Sequence, residues 1–133
     1  MTEHHCIFAI FGATGDLTNR KLLPALYYLE QERQLKEDFR IVCIARKDKT
    51  HEQYRKEATE SIRRFSRIKV QGEVLKKLAS RIYYQKVEFS DLEDYNRLKK
   101  FVEKISGQSC VNCERIFYLA VPASFFSMIV DNL

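Results

Sequence analysis

The stretch FGATGDLTNRKLLPALYYL (residues 11–29) joins a short apolar run to a helical pattern, and its reading decides the fold. Gly12 and Gly15 enclose Ala13 and Thr14 where a strand must turn into a helix. Small residues there let backbone N–H groups approach a phosphate. The helix start adds roughly half a unit of positive charge aimed at the same place. The stretch also reads as a plain strand-to-helix turn. Its G-x-x-G spacing departs from the G-x-G-x-x-G of dinucleotide loops, with Leu17 and Thr18 in the region of the third glycine. A carboxylate beside a pyrophosphate is repulsive, so Asp16 is expected to cap the following helix by accepting exposed N–H groups. Pro24 lacks a donor and should kink or restart that helix. Lys21, just ahead of it, is either solvated or turned toward a ligand.

Outward from this stretch, apolar runs alternate with helical patterns. Residues 5–11, 39–45, 81–89 and 115–121 read as four strands. The helical patterns fall at about 17–34, 51–67, 72–80, 91–106 and from 123 onward. In the first, Leu22, Leu23, Leu26, Tyr27 and Leu29 form the expected apolar face, with Glu30, Glu32 and Arg33 polar. In the fourth, Ser90 or Asp91 caps, Leu92, Tyr95, Leu98, Val102 and Ile105 form the stripe, and Gly107 ends it. Alternation of this kind implies parallel strands and right-handed crossovers, a three-layer α/β fold. The expected strand order is 3-2-1-4, with a ligand crevice at the carboxyl end of the first strand, where the order reverses.

Composition narrows the class. The chain has 133 residues, 45% of them hydrophobic and 31% charged, with a net charge of +5. That is the size of one globular domain, small for a complete two-substrate enzyme. No apolar run approaches the roughly 20 residues of a membrane span. The polar start is no secretory signal, so a cytoplasmic protein is expected. Much of the positive charge lies in residues 55–77 and reads as a solvated helical face or a covered interface. No aromatic-interleaved basic motif points to single-stranded nucleic acid. Cys6 and Cys43 fall in strand-like runs and are expected as buried thiols. Cys110 and Cys113 form one CxxC in a loop, which supplies half of a zinc site and does not open a helix; no metal is expected. The chain ends within an apolar helical pattern that has no cap, and a truncated chain is the expectation.

The end of the second strand carries the sharper signal. An NAD-binding fold usually places an acid there for the adenosine ribose hydroxyls. This chain has Arg46 and Lys47 instead. Two cations suit a 2′-phosphate, which points to NADP.

Taken together, GATGDLTNRKLLPALYYL (12–29), IVCIARKDKT (41–50) and RIFYLAVPASFF (115–126) resemble the coenzyme part of the glucose-6-phosphate dehydrogenase family. The resemblance spans essentially the whole chain. It implies a Rossmann-like NADP-binding domain over residues 1–133, the N-terminal part of an oxidoreductase that passes hydride from C1 of glucose 6-phosphate to NADP in the oxidative pentose phosphate pathway. It implies that Gly12, Ala13, Thr14, Gly15, Asp16, Leu17 and Thr18 line the cofactor phosphates, and that Arg46 grips the 2′-phosphate. Glu88 and Phe89 would border the adenosine, and Phe126 would stand where relatives have a tyrosine against the cofactor. Lys21 would contact the sugar phosphate. The family's R-I-D-H-Y-L-G-K segment, which carries its catalytic histidine, has no counterpart here, nor has its E-K-P segment. His4, His5 and His51 do not stand where that base does. No catalytic residue is therefore expected in this chain, which alone should bind NADP weakly or not at all and turn over no sugar phosphate. At full length the resemblance implies a homo-oligomer.

Two other readings remain open from the residues. A short-chain NADP reductase or sensor also opens with FGATG, and Tyr95 and Lys99 have its Tyr-x-x-x-Lys spacing, although on a helix too early in the chain. A basic nucleic-acid-binding module is the other.

Overall fold

The computed structural model describes residues 6–106 and 114–133. Gly107, Cys110, Cys113, His4 and His5 lie outside them. Four strands, β1 (Cys6–Phe11), β2 (Arg40–Ala45), β3 (Ile82–Lys86) and β4 (Glu114–Leu119), form one parallel sheet in the order β3-β2-β1-β4. This is the expected order. Helices α1 (Leu23–Gln31), α2 (His51–Phe65) and α3 (Gly72–Ser80) precede β3, and α4 (Leu92–Ser106) and α5 (Phe126–Asn132) follow it.

The two central strands are apolar on both faces, as a doubly covered parallel sheet requires. Ile10, Ile41, Cys43 and Ala45 face one core with Leu23, Tyr27, Tyr54, Ile62 and Leu78. Their neighbours Ile7, Ala9, Phe11, Val42 and Ile44 face the other, with Tyr95, Leu98, Val102 and Ile129. Helix α2 starts on a capping box: Thr50 Oγ1 accepts from Gln53 N, and Gln53 Oε1 accepts from Thr50 N. Asp91 caps α4 by accepting from Glu93 N at 2.9 Å.

Several expectations shift. Asp16 does not cap: its Oδ1 pairs with Arg20 Nε at 2.7 Å on the exposed surface, one helical turn on. Pro24 does mark a restart. Residues Thr18–Leu22 widen into a π turn closed by Leu23 N to Thr18 O, and α1 begins beyond it with the proline in its first turn. The wider turn carries the chain past a residue that cannot donate. Helix α1 stops at Gln31 because Arg33 takes a left-handed conformation (φ 56°) and Gln34 N bonds Leu29 O. Cys43 is buried, and burial pushes its thiol up to about 12, whereas Cys6 is only partly covered. Leu29 and Leu92 are exposed.

The largest departure is Glu30. It is buried, and its Oε1 accepts from Arg81 Nε at 3.1 Å, with both side chains no more than 4% exposed. Arg81 Nη1 also donates to Lys36 O (2.6 Å) and Phe39 O (3.0 Å). The pair ties the end of α1 to the starts of β2 and β3. Glu30→Leu alone should leave the guanidinium buried without its counter-charge and lower the unfolding free energy by about 3–5 kcal/mol. Adding Arg81→Met should recover part of that loss in urea denaturation, and an equal or larger loss in the double variant would contradict the pairing.

Candidate functional site

The chain reverses its direction of sheet growth at β1, and the crevice lies at the carboxyl ends of β1, β2 and β4. It holds about 230 Å³ and is lined by the Gly12–Gly15 turn, Arg46, Lys47, Phe89, Pro122 and Phe125.

The floor is set by Gly12. Its φ is +89°, a region L side chains rarely adopt. An added Cβ would stand 2.1 Å from Ala120 O. Gly12 N and Ala13 N both donate to Ile44 O (2.9 and 3.1 Å), and Thr18 Oγ1 donates back to Gly12 O at 2.9 Å. Those groups hold the turn from inside. Thr18 is fully buried, so its hydroxyl serves the loop rather than the crevice. The first ladder bond of the following helix runs from Asn19 N to Gly15 O. Helix geometry therefore leaves the N–H groups of Asp16, Leu17 and Thr18 without an intrahelical acceptor at its start. These are the donors an anion would meet.

Two struts from α2 fix the loop, and neither was visible in the sequence. Tyr54 Oη donates to Ala13 O at 2.7 Å. Asn19 Nδ2 donates to Gly15 O at 2.9 Å while its Oδ1 accepts from Ser61 Oγ at 2.9 Å.

On the opposite wall Arg46 is exposed, with its guanidinium carbon 6.0 Å from the Phe89 ring and 5.8 Å from the Phe125 ring. The two rings meet edge to face at 5.7 Å. The aromatic wall is thus Phe89 and Phe125. Phe126 is 40% exposed at the start of α5 and is not part of it. Glu88 is exposed too, with its N–H donating to Asp94 Oδ2. Lys21 opens onto a different hollow of about 870 Å³, between the outer face of α1 and Phe65, Arg67 and Ile68. The crevice therefore brings together the glycine turn, Arg46 and Phe89, and leaves Lys21, Glu88 and Phe126 outside. Tyr95, one half of the reductase-like spacing, is buried and donates to Phe89 O. Among the described residues no group of His, Cys, Asp or Glu could hold a metal ion.

A parallel sheet of this order, with a glycine turn and a helix start at its switch point, defines a dinucleotide-binding α/β domain. The family model described as "Glucose-6-phosphate dehydrogenase, NAD binding domain" matches residues 9–133, and the chain belongs to this family. The glucose-6-phosphate 1-dehydrogenases of Chlamydia muridarum and Chlamydia pneumoniae are 43% and 40% identical to it over 129 and 128 residues. Each alignment takes in 96% of this chain and 25% of the relative, so the chain spans about a quarter of those proteins' length. A solved glucose-6-phosphate dehydrogenase in complex with glucose 6-phosphate superposes with a TM-score of 0.86 at 29% identity, over 98% of this chain and 27% of that one. The enzyme from Mycobacterium avium gives 0.82 at 33% identity, over 97% and 26%.

Gly12→Ala should lower stability by more than about 2 kcal/mol or prevent folding, since it adds both a strained φ and a backbone clash. Gly72→Ala meets nothing within 4 Å and should be near neutral. Thermal melts of the two variants check this, and a Gly12→Ala melt equal to that of Gly72→Ala would contradict the close approach.

Proposed function

We propose that this chain is the coenzyme-binding part of a glucose-6-phosphate dehydrogenase and that the coenzyme is NADP. One observation carries the choice of coenzyme. At the end of β2, where a ribose-binding acid would make the site an NAD site, a cation stands on two aromatic rings at the mouth of the crevice. Among the described residues no carboxylate lines that crevice, so the residues present fit an extra phosphate. The nicotinamide ring, when bound, supplies the acceptor for a hydride.

The roles of this chain's residues follow from their chemistry. The turn over residues 12–18 receives the pyrophosphate on its outward N–H groups. Arg46 and Lys47 take the 2′-phosphate, and Phe89 and Phe125 cover the adenosine side. In the reaction the C1–H bond of glucose 6-phosphate breaks and its electron pair leaves as hydride, while the C1 hydroxyl proton goes to a base. The family's histidine motif is not among these 133 residues, so this chain's part is to bind and orient. Lys21 would meet the sugar phosphate from the α1 side, and Glu88 and Phe126 would act at the rim rather than in the crevice. Assembly into a homo-oligomer and a cytoplasmic setting belong to the same reading; among the described residues no helix is long and apolar enough to cross a membrane.

The test is titration of the chain with NADP and with NAD, followed by amide NMR shifts that register weak binding. NADP should bind more tightly. Arg46→Ala should weaken NADP at least tenfold, since a charge-assisted bond contributes on the order of 1.5–3 kcal/mol. Its effect on NAD should stay within about twofold, as no 2′-phosphate bond is lost there. Equal losses for both coenzymes would contradict the role.

A further inference from the structure

We propose that Tyr84 is a positioning residue that sets the preference for NADP over NAD, by holding the Arg46–Lys47 turn through the Lys47 carbonyl. This rests on the NADP reading above. Tyr84 lies on β3, is 3% exposed and does not line the crevice. Its phenol donates to Lys47 O at 2.5 Å. Among the described residues this is the hydrogen bond that reaches the main chain of residues 46–48. The neighbouring ties lie outside that segment, from Val87 N to Ala45 O (3.0 Å) and in the capping box at Thr50. Without it, the backbone that carries both cations would be held only from its two ends.

The other end of Tyr84 is well anchored. Its backbone N–H donates to His51 Nδ1 at 2.9 Å, and its ring stacks on Tyr54 with centroids 5.0 Å apart and planes at 26°. Burial pushes the Tyr84 phenol up to about 12, with the charge of Glu57 adding to it, so the hydroxyl stays a donor at neutral pH. The stack also divides the work. Tyr54 reaches the phosphate turn at Ala13 O, whereas Tyr84 reaches the cation turn at Lys47 O. NADP and NAD differ only in the 2′-phosphate. A change confined to the cation turn must therefore alter NADP binding alone, and a change in the phosphate turn must alter both.

Paired tyrosine-to-phenylalanine changes read this directly, because each keeps its ring and the stack while removing only the hydroxyl and its bonds. By titration of the chain, Tyr84→Phe should raise the NADP dissociation constant about fivefold and leave NAD within about twofold. Tyr54→Phe should raise both by similar factors. In an Arg46→Ala/Lys47→Ala background, Tyr84→Phe should have little further effect on NADP, as residues acting through one another are not additive. Should Tyr84→Phe disturb the amide spectrum, 3-fluorotyrosine at position 84 keeps the shape and changes only the donor, and NADP affinity alone should move. A Tyr84 change that moves both coenzymes alike, or neither, overturns the proposal. A parent chain that binds neither coenzyme, or prefers NAD, overturns the NADP reading and this proposal with it.

Discussion

Gly12 is the constraint on which the rest of the site depends. β1 must end where Ala120, at the end of β4, passes directly beneath the turn, and Ala120 N donates to Phe11 O at 2.8 Å. The backbone can make that approach only with a left-handed φ and no Cβ. Once the turn is set there, the following helix starts at the switch point of the sheet, and its free N–H groups lie beside the ends of β2 and β4. The crevice follows from one residue's lack of a side chain.

The Gly12–Gly15 turn is half-buried and is held in place from α2. Helix α2 packs across the sheet on Tyr54, Ala58 and Ile62 and delivers Tyr54 and Ser61 to the glycine turn and to Asn19. The buried Glu30–Arg81 pair works at the opposite end of the sheet, joining α1 to the strand starts. Local stability thus comes from α2 at the site and from a buried ion pair away from it. Among the described residues, the Arg46 guanidinium stands over the Phe89 and Phe125 rings, and the Lys47 carbonyl accepts from the Tyr84 phenol.

Much of this was legible in the sequence. Continuous apolar runs between helical patterns gave four parallel strands and their order. Gly12, Gly15 and Arg46 stood out because each is an unusual residue for its position: small where a turn is tight, cationic where an acid is normal. The burial of Glu30 leaves no mark in the sequence, because its partner Arg81 is 51 residues away and no periodicity links them. Asp16 has the composition of a cap, yet Arg20 one turn later offers it a charged partner. The struts from Tyr54 and Asn19 are long-range bonds to backbone carbonyls, which leave no pattern in the sequence. Phe125 and Phe126 differ by one position, and the short 3₁₀ turn over Ala123–Phe125 decides which of them faces the crevice.

The central claim is that the crevice reads the 2′-phosphate through the end of β2. A crystal structure of the chain soaked with NADP tests it most directly. The account predicts the 2′-phosphate oxygens at about 2.7–2.9 Å from Arg46 guanidinium nitrogens, with the pyrophosphate against the turn over residues 12–18. A dinucleotide bound with its 2′-phosphate in solvent, away from Arg46 and Lys47, would contradict it.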